Sequence, residues 1–227
     1  QSGSNSNTAC YYLVNPQMDP GTIRKALERG FSGLKPYRFF SKTGDRDNCR
    51  ITDMITEEQI SVVDDLKSII LLHVSKANAM ADEENLADLE RLSSKYPDVK
   101  FLLAHCARCF IPELLNKCVD KLAQLPNIFI GTSAVTGSDV FDMLLTRFPQ
   151  ERLLYGSDCI FPGISRGTFV HFGRSWDFLT PENHNFDLSH CDGRFTFTMY
   201  ENLRAFGLAC KRNKLSAKQL ENIFFEN

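Results

Sequence analysis

Short, nearly continuous apolar runs alternate with amphipathic stretches along most of this chain. The runs are YYLVNP (11–16), FSGLKPYRFF (31–40), IILLHV (69–74), KFLLAH (100–105), NIFIGTSA (127–134) and RLLYGSD (152–158). Each is too short for a helix and is followed by a helical pattern, which predicts strands buried in a parallel sheet. The intervening helices carry legible ends. One runs from about Thr22 to Arg29 and stops at Gly30; another opens at Thr56, where T-E-E-Q offers a capping box, and continues to about Lys67. DEENLADLERLSSKY (82–96) ends just before Pro97, PELLNKCVDKLAQL (112–125) begins with proline in the favoured first turn, and DVFDMLLTRF (139–148) follows the fifth strand. Residues 161–195 read as irregular and rich in Gly, His and aromatics, and two helical stretches, about 197–212 and 216–225, close the chain.

Six βα units in one unbroken rhythm imply a parallel sheet with right-handed crossovers. A doubly wound sheet would announce a glycine-rich phosphate turn after its first strand, and none is written here. The expected fold class is therefore α/β, a (β/α)8 TIM barrel with about six units visible and the first one or two missing. Residues 1–227 are expected to form a single barrel domain, incomplete at the N-terminus and at the C-terminus. The 227 residues fall slightly short of the roughly 250 typical of such a barrel.

Three strands run straight into a residue able to bind metal or move a proton: His73, His105 and Asp158. The C-terminal strand ends of a barrel share one mouth, where chemistry is placed. Packing alone would put Val or Leu in those positions. Two imidazoles and a carboxylate there suggest a metal-assisted enzyme, since both are proper ligands of a divalent ion such as zinc or manganese.

Charge and cysteine content narrow the class further. A net charge of −2 and a pI near 6.2 argue against a nucleic-acid binder, and no run approaches the ~20 apolar residues of a membrane span. The eight cysteines are scattered, without the dense spacing of a secreted disulfide framework. Cys106 and Cys109 form a CxxC with no second pair at zinc-ribbon spacing, so the expectation is buried apolar cysteines in a reduced, cytoplasmic protein. The opening QSGSNSNTAC reads as a frayed end, a tag remnant or the edge of a missing segment.

Five segments in series carry a family resemblance: G-F-S-G-L-K-P-Y (30–37), L-L-H-V-S (71–75), Y-P-D-V-K-F-L-L-A-H (96–105), N-I-F-I-G-T-S-A-V (127–135) and E-R-L-L-Y-G-S-D (151–158). Their order and spacing resemble the amidohydrolase-related family, the branch of the amidohydrolase superfamily that holds aminocarboxymuconate-semialdehyde decarboxylase and related lactone hydrolases. The resemblance implies a (β/α)8 barrel whose third to eighth strands are those seen here. It implies that His73 is a metal ligand, and that His105 polarises substrate or passes a proton. Asp158 resembles the carboxylate that binds metal and activates its water. Lys35 stands where some superfamily members hold a carboxylated lysine, and is assigned instead to a substrate anion or a buried ion pair. The family's first strand carries an H-x-H pair, and this sequence has none; His171, His184 and His190 lie too late to replace it.

Other expectations concern substrate. Arg108 is placed to clamp a carboxylate, Tyr37 shares the face of Lys35 by alternation, and Ser133 with Thr132 can hydrogen-bond a substrate at a strand end. Each has a structural counterpart: a surface ion pair for Arg108, turn chemistry for Ser133, a turn cap for Asp158, a carbonyl-satisfied histidine for His73. The leading expectation is a metal-dependent hydrolase or decarboxylase of a small carboxylated molecule, using metal-activated water. A metal-free barrel that binds a ligand or protein partner is the alternative, and a homo-oligomer that supplies the missing strands is a third.

Overall fold

Each core strand is cut off within four residues, so function begins almost as soon as the strand ends. The computed structural model describes residues 8–159, 163–184 and 188–227. In chain order its main elements are β1 (Tyr11–Val14), α1 (Pro20–Glu28), β2 (Gly33–Pro36), α2 (Ile51–Met54), α3 (Glu57–Asp65), β3 (Ile69–Leu72), α4 (Glu83–Lys95), β4 (Lys100–Leu103), α5 (Pro112–Asn116), α6 (Val119–Gln124), β5 (Ile128–Gly131), α7 (Ser138–Arg147), β6 (Leu153–Leu154), β7 (Thr168–Phe172), β8 (Ser175–Leu179), α8 (Thr198–Arg212) and α9 (Ala217–Glu221). The chain divides into two compact units, residues 1–103 with 125–129, and residues 104–124 with 130–227.

In the first unit β1, β2, β3 and β4 pair in parallel and in sequence order, and the Phe101 N–H then bonds the Asn127 carbonyl at the entrance to β5. Gly33 is required there: a Cβ on it would lie 2.3 Å from the Ile69 carbonyl oxygen. Leu34, Ile70, Leu72, Phe101 and Leu103 are sealed from solvent, and Ile23, Ile60, Val63 and Leu89 face them from α1, α3 and α4. Thr56 caps α3 with the capping box the sequence announces, Gln59 returning the hydrogen bond. The Gln59 amide also ties the loop after β1 through the carbonyls of Asn15 and Met18.

In the second unit the end of β5 pairs in parallel with β6. Val140, Phe141 and Leu144 of α7 and Ala205, Phe206 and Ala209 of α8 form its core, with the Phe141 and Phe206 rings edge to face at 5.3 Å.

Several boundaries differ from the sequence reading. The 31–40 strand ends at Pro36 and turns into a 3-10 helix over Arg38–Phe40, because Arg38 bonds Asp47 at 2.6 Å rather than continuing a ladder. The 112–125 helix is two helices, broken where the Cys118 N–H and thiol turn back to the Leu115 carbonyl. The supposedly irregular 161–195 segment contains an antiparallel hairpin of β7 and β8; residues 160–162 and 185–187 lie outside the described residues. Among the described residues no helix is long and apolar enough to cross a membrane.

Glu57 at the start of α3 receives Lys95 at 2.5 Å, Arg91 at 2.6 Å and the Tyr96 hydroxyl at 3.1 Å. The Lys95 hydrogen bond, then that of Arg91, hold its carboxyl down at about 2. A depressed acid stabilises above its unfolded value and loses that contribution as pH falls through the folded one. Glu57→Gln is therefore expected to lower the melting temperature at neutral pH, by about 1 kcal/mol or less of stability. The gap to wild type should close between pH 4.5 and about 2 in thermal melts; a pH-independent gap would refute the assignment.

Candidate active site

The chain turns left-handed immediately after β4. His105, Cys106, Ala107 and Arg108 take φ of 57°, 50°, 59° and 57°, four non-glycine residues in succession. Such backbone costs roughly 1–2 kcal/mol per residue and persists only where surroundings over-determine it. Here the Arg108 N–H reaches the Ala104 carbonyl and the Cys109 N–H the Cys106 carbonyl, while Cys106, Ala107 and Cys109 are packed out of solvent. Ala134 after β5 (φ 63°) and Asp158 after β6 (φ 56°) are left-handed too. In the second unit left-handed backbone outside glycine thus falls after β4, β5 and β6, and once more at Lys214 after α8.

These turns bring three of the sequence-predicted residues together. The His105 Nδ1 lies 3.1 Å from the Ser133 carbonyl oxygen, 3.0 Å from its Oγ and 3.9 Å from the Asp158 carboxylate. A carbonyl only accepts, so Nδ1 carries the hydrogen, and in the neutral ring Nε2 is then the lone-pair nitrogen, the one suited to take a proton or bind a metal. His105 is buried and Asp158 partly exposed, so the pair sits at an edge between core and solvent. The Asp158 backbone is held by Gly163, whose N–H donates to the Asp158 carbonyl at 2.8 Å. Thr132 is fully buried and its Oγ1 accepts from the Gly156 N–H, so it fixes the turn and does not face a substrate.

Apolar rings back this cluster. Phe110 stacks on His105 at 6.4 Å and on Phe169 of β7 at 4.3 Å, and Trp176 of β8 lies 4.6 Å from Phe110. The hairpin is anchored by Thr136, whose hydroxyl donates to the Phe169 carbonyl, and by His171 Nε2 3.1 Å from Asp139. In the sequence His171 and Trp176 fall in a long loop expected to serve as a lid or specificity loop, with no individual role legible, and nothing there singles out Phe110.

In the first unit Lys35, Tyr37 and His73 gather. The Lys35 Nζ stands 5.8 Å from the Tyr37 ring centroid, and the Tyr37 and His73 rings meet edge to face at 5.8 Å. Arg108 lies in the left-handed turn of the second unit.

Five of the cysteines, Cys49, Cys106, Cys109, Cys118 and Cys210, are buried and behave as packing groups, while Cys10, Cys159 and Cys191 are exposed. Burial pushes the Cys106 thiol far up, which keeps it protonated beside His105 and unfit as a nucleophile or metal thiolate. Among the described residues no three His, Cys, Asp or Glu side chains gather to hold a metal ion.

The amidohydrolase family model matches residues 19–227. The chain belongs to the amidohydrolase family. An amidohydrolase from Burkholderia multivorans, solved with bound HEPES, is similar at 14% identity and a TM-score of 0.52, over 93% of this chain and 70% of that one. The 4-oxalomesaconate hydratase of Rhodopseudomonas palustris is similar at 16% identity and a TM-score of 0.49, over 94% of this chain and 66% of its own. For the dihydroxybenzoic acid decarboxylase of Polaromonas sp. JS666, solved with manganese and 2-nitroresorcinol, the values are 16% and 0.44, over 66% and 57%. This amidohydrolase-family chain thus spans 66% and 57% of the lengths of the last two. No curated protein matches it. The likeness to the Burkholderia structure is one of fold, and it accords with six βα units of a (β/α) barrel.

Gly163 gives the site a sharp test. A Cβ there would lie 2.5 Å from the Asp158 oxygen and 2.7 Å from that of Ser157. Gly163→Ala is expected to cost about 1–3 kcal/mol in urea denaturation, as overpacking does. Unchanged stability would mean that the Asp158 turn is not clamped from this side.

Proposed function

We propose that this chain belongs to a metal-dependent hydrolase or decarboxylase acting on a small carboxylated substrate. The observation that carries the reading is the His105–Ser133–Asp158 cluster, held by strained backbone at the strand ends of an amidohydrolase-family chain. His105, with Nδ1–H fixed on Ser133, offers Nε2 as the atom that takes a proton from an incoming water or returns one to a carbanion. Asp158, 3.9 Å away, stabilises the imidazolium that results. Arg108 is the partner for a substrate carboxylate, which a guanidinium can hold in two parallel hydrogen bonds. Lys35 and Tyr37 are assigned to substrate contacts in the first unit.

The family is metal-dependent, and zinc, or manganese in its place, is the cofactor this reading calls for; His73 in the first unit and Asp158 in the second are each expected as donors on the sequence resemblance. A catalytic zinc takes three protein ligands. Among the described residues no such set is complete, so the chemistry assigned here is that of the chain's own proton-carrying groups. The second reading is a barrel that binds a ligand without metal.

Elemental analysis of protein purified without chelator or affinity metal separates the two. Near-stoichiometric zinc or manganese, lost in a His73→Ala, Asp158→Ala double variant, is the expected result. On substrates found by screening small carboxylates for hydrolysis or CO2 release, His105→Asn should lower kcat by roughly 10²–10⁴. Metal-free protein with no turnover would leave the ligand-binding barrel.

A further inference from the structure

Helix α8 carries two polar residues on its buried stripe. Thr198 and Asn202, one turn apart, are both fully buried on the side of Ala205, Phe206 and Ala209. Thr198 donates to the loop before the hairpin, through the carbonyls of Ser165 and Gly167. Asn202 donates both of its amide hydrogens, to the Thr132 carbonyl at 2.8 Å and the Val135 carbonyl at 2.7 Å. Its Oδ1, equally buried, accepts no hydrogen bond among the described residues.

That asymmetry is informative. Burying an amide with its acceptor idle costs stability, and a helix needing only packing would carry Leu or Ala there. The residue is present for its two donors. The carbonyls it holds bracket Ser133 and Ala134, the second of them left-handed. With the peptides on either side pinned, the Ser133 carbonyl and hydroxyl are both left directed at His105 Nδ1. Thr132 extends the support, because its Oγ1 accepts from Gly156 in the run that leads to Asp158.

We infer that Asn202 is a positioning residue that fixes the Nδ1–H tautomer of His105 by holding the turn that carries Ser133. The inference rests on the reading of His105 as the proton-transfer group, which it deepens. Asn202 touches neither His105 nor Asp158 in the described hydrogen bonds and acts only through the backbone of 132–135.

The test is the ¹⁵N spectrum of the imidazole at one fixed pH, with His105 assigned by its loss in His105→Gln. Wild type is expected to show a pyrrole-type Nδ1 and a pyridine-type Nε2. Asn202→Leu, which keeps the volume and removes both donors, should move His105 toward a tautomer average. Amide exchange at 133–135 should quicken by roughly tenfold, as for a lost local hydrogen bond, with α7 unchanged. Asn202→Ser, which keeps one donor, should fall between and stands in if the leucine variant does not fold. A folded variant with an unaltered His105 spectrum would overturn the inference and leave Asn202 a packing residue. If His105→Gln retains turnover while the spectrum still responds to Asn202, the catalytic reading fails and the positioning geometry stands.

Discussion

A strand of four residues or fewer can satisfy its backbone only through its neighbours, and this constraint governs the molecule. The ladder ends early, so apart from Lys35 within β2 the side chains able to do chemistry stand within five residues beyond it. His73 follows β3 by one position, His105 follows β4 by two and Ser133 follows β5 by two. The abrupt left-handed turns at His105, Ala134 and Asp158 are the physical form of that limit, because the chain must leave the sheet at once. Apolar burial in the strands holds those turns in place, and the turns aim the side chains.

Much of this was legible in the sequence because the strands and helices obey periodicity and capping. Thr56 with Gln59 announces α3, and the apolar runs announce all six sheet strands to within a few residues. His105, Ser133 and Asp158 were each visible as polar residues ending an apolar run. Their mutual contact was not, since adjacency across strands depends on register, which composition does not encode. The hairpin was missed although its signal was present: T-F-V-H-F and S-W-D-F-L alternate around Gly173 and Arg174. Its rings pair with one another and with Phe110, and the Gly, His and aromatic content made the segment read as irregular. Asn202 left a fainter trace, one amide on a helical stripe of Ala and Phe, and only its carbonyl partners give it meaning.

The family assignment and the described side chains bear on different questions. The first places the chain among the amidohydrolases; the second gives the contacts that its own atoms make. In the second unit a buried imidazole stands with a carboxylate within ion-pair reach, beside a Cys106 thiol that burial holds in its protonated form.

Phe110 has a wider consequence. One face of this ring lies along His105, and the same ring is gripped by Phe169 and Trp176 of the hairpin. Changes along its sequence would therefore reach the imidazole through Phe110, as altered polarity and packing of its surroundings. Such an arrangement lets substitutions in the hairpin alter the setting of the imidazole while the strand ends that hold it stay as they are.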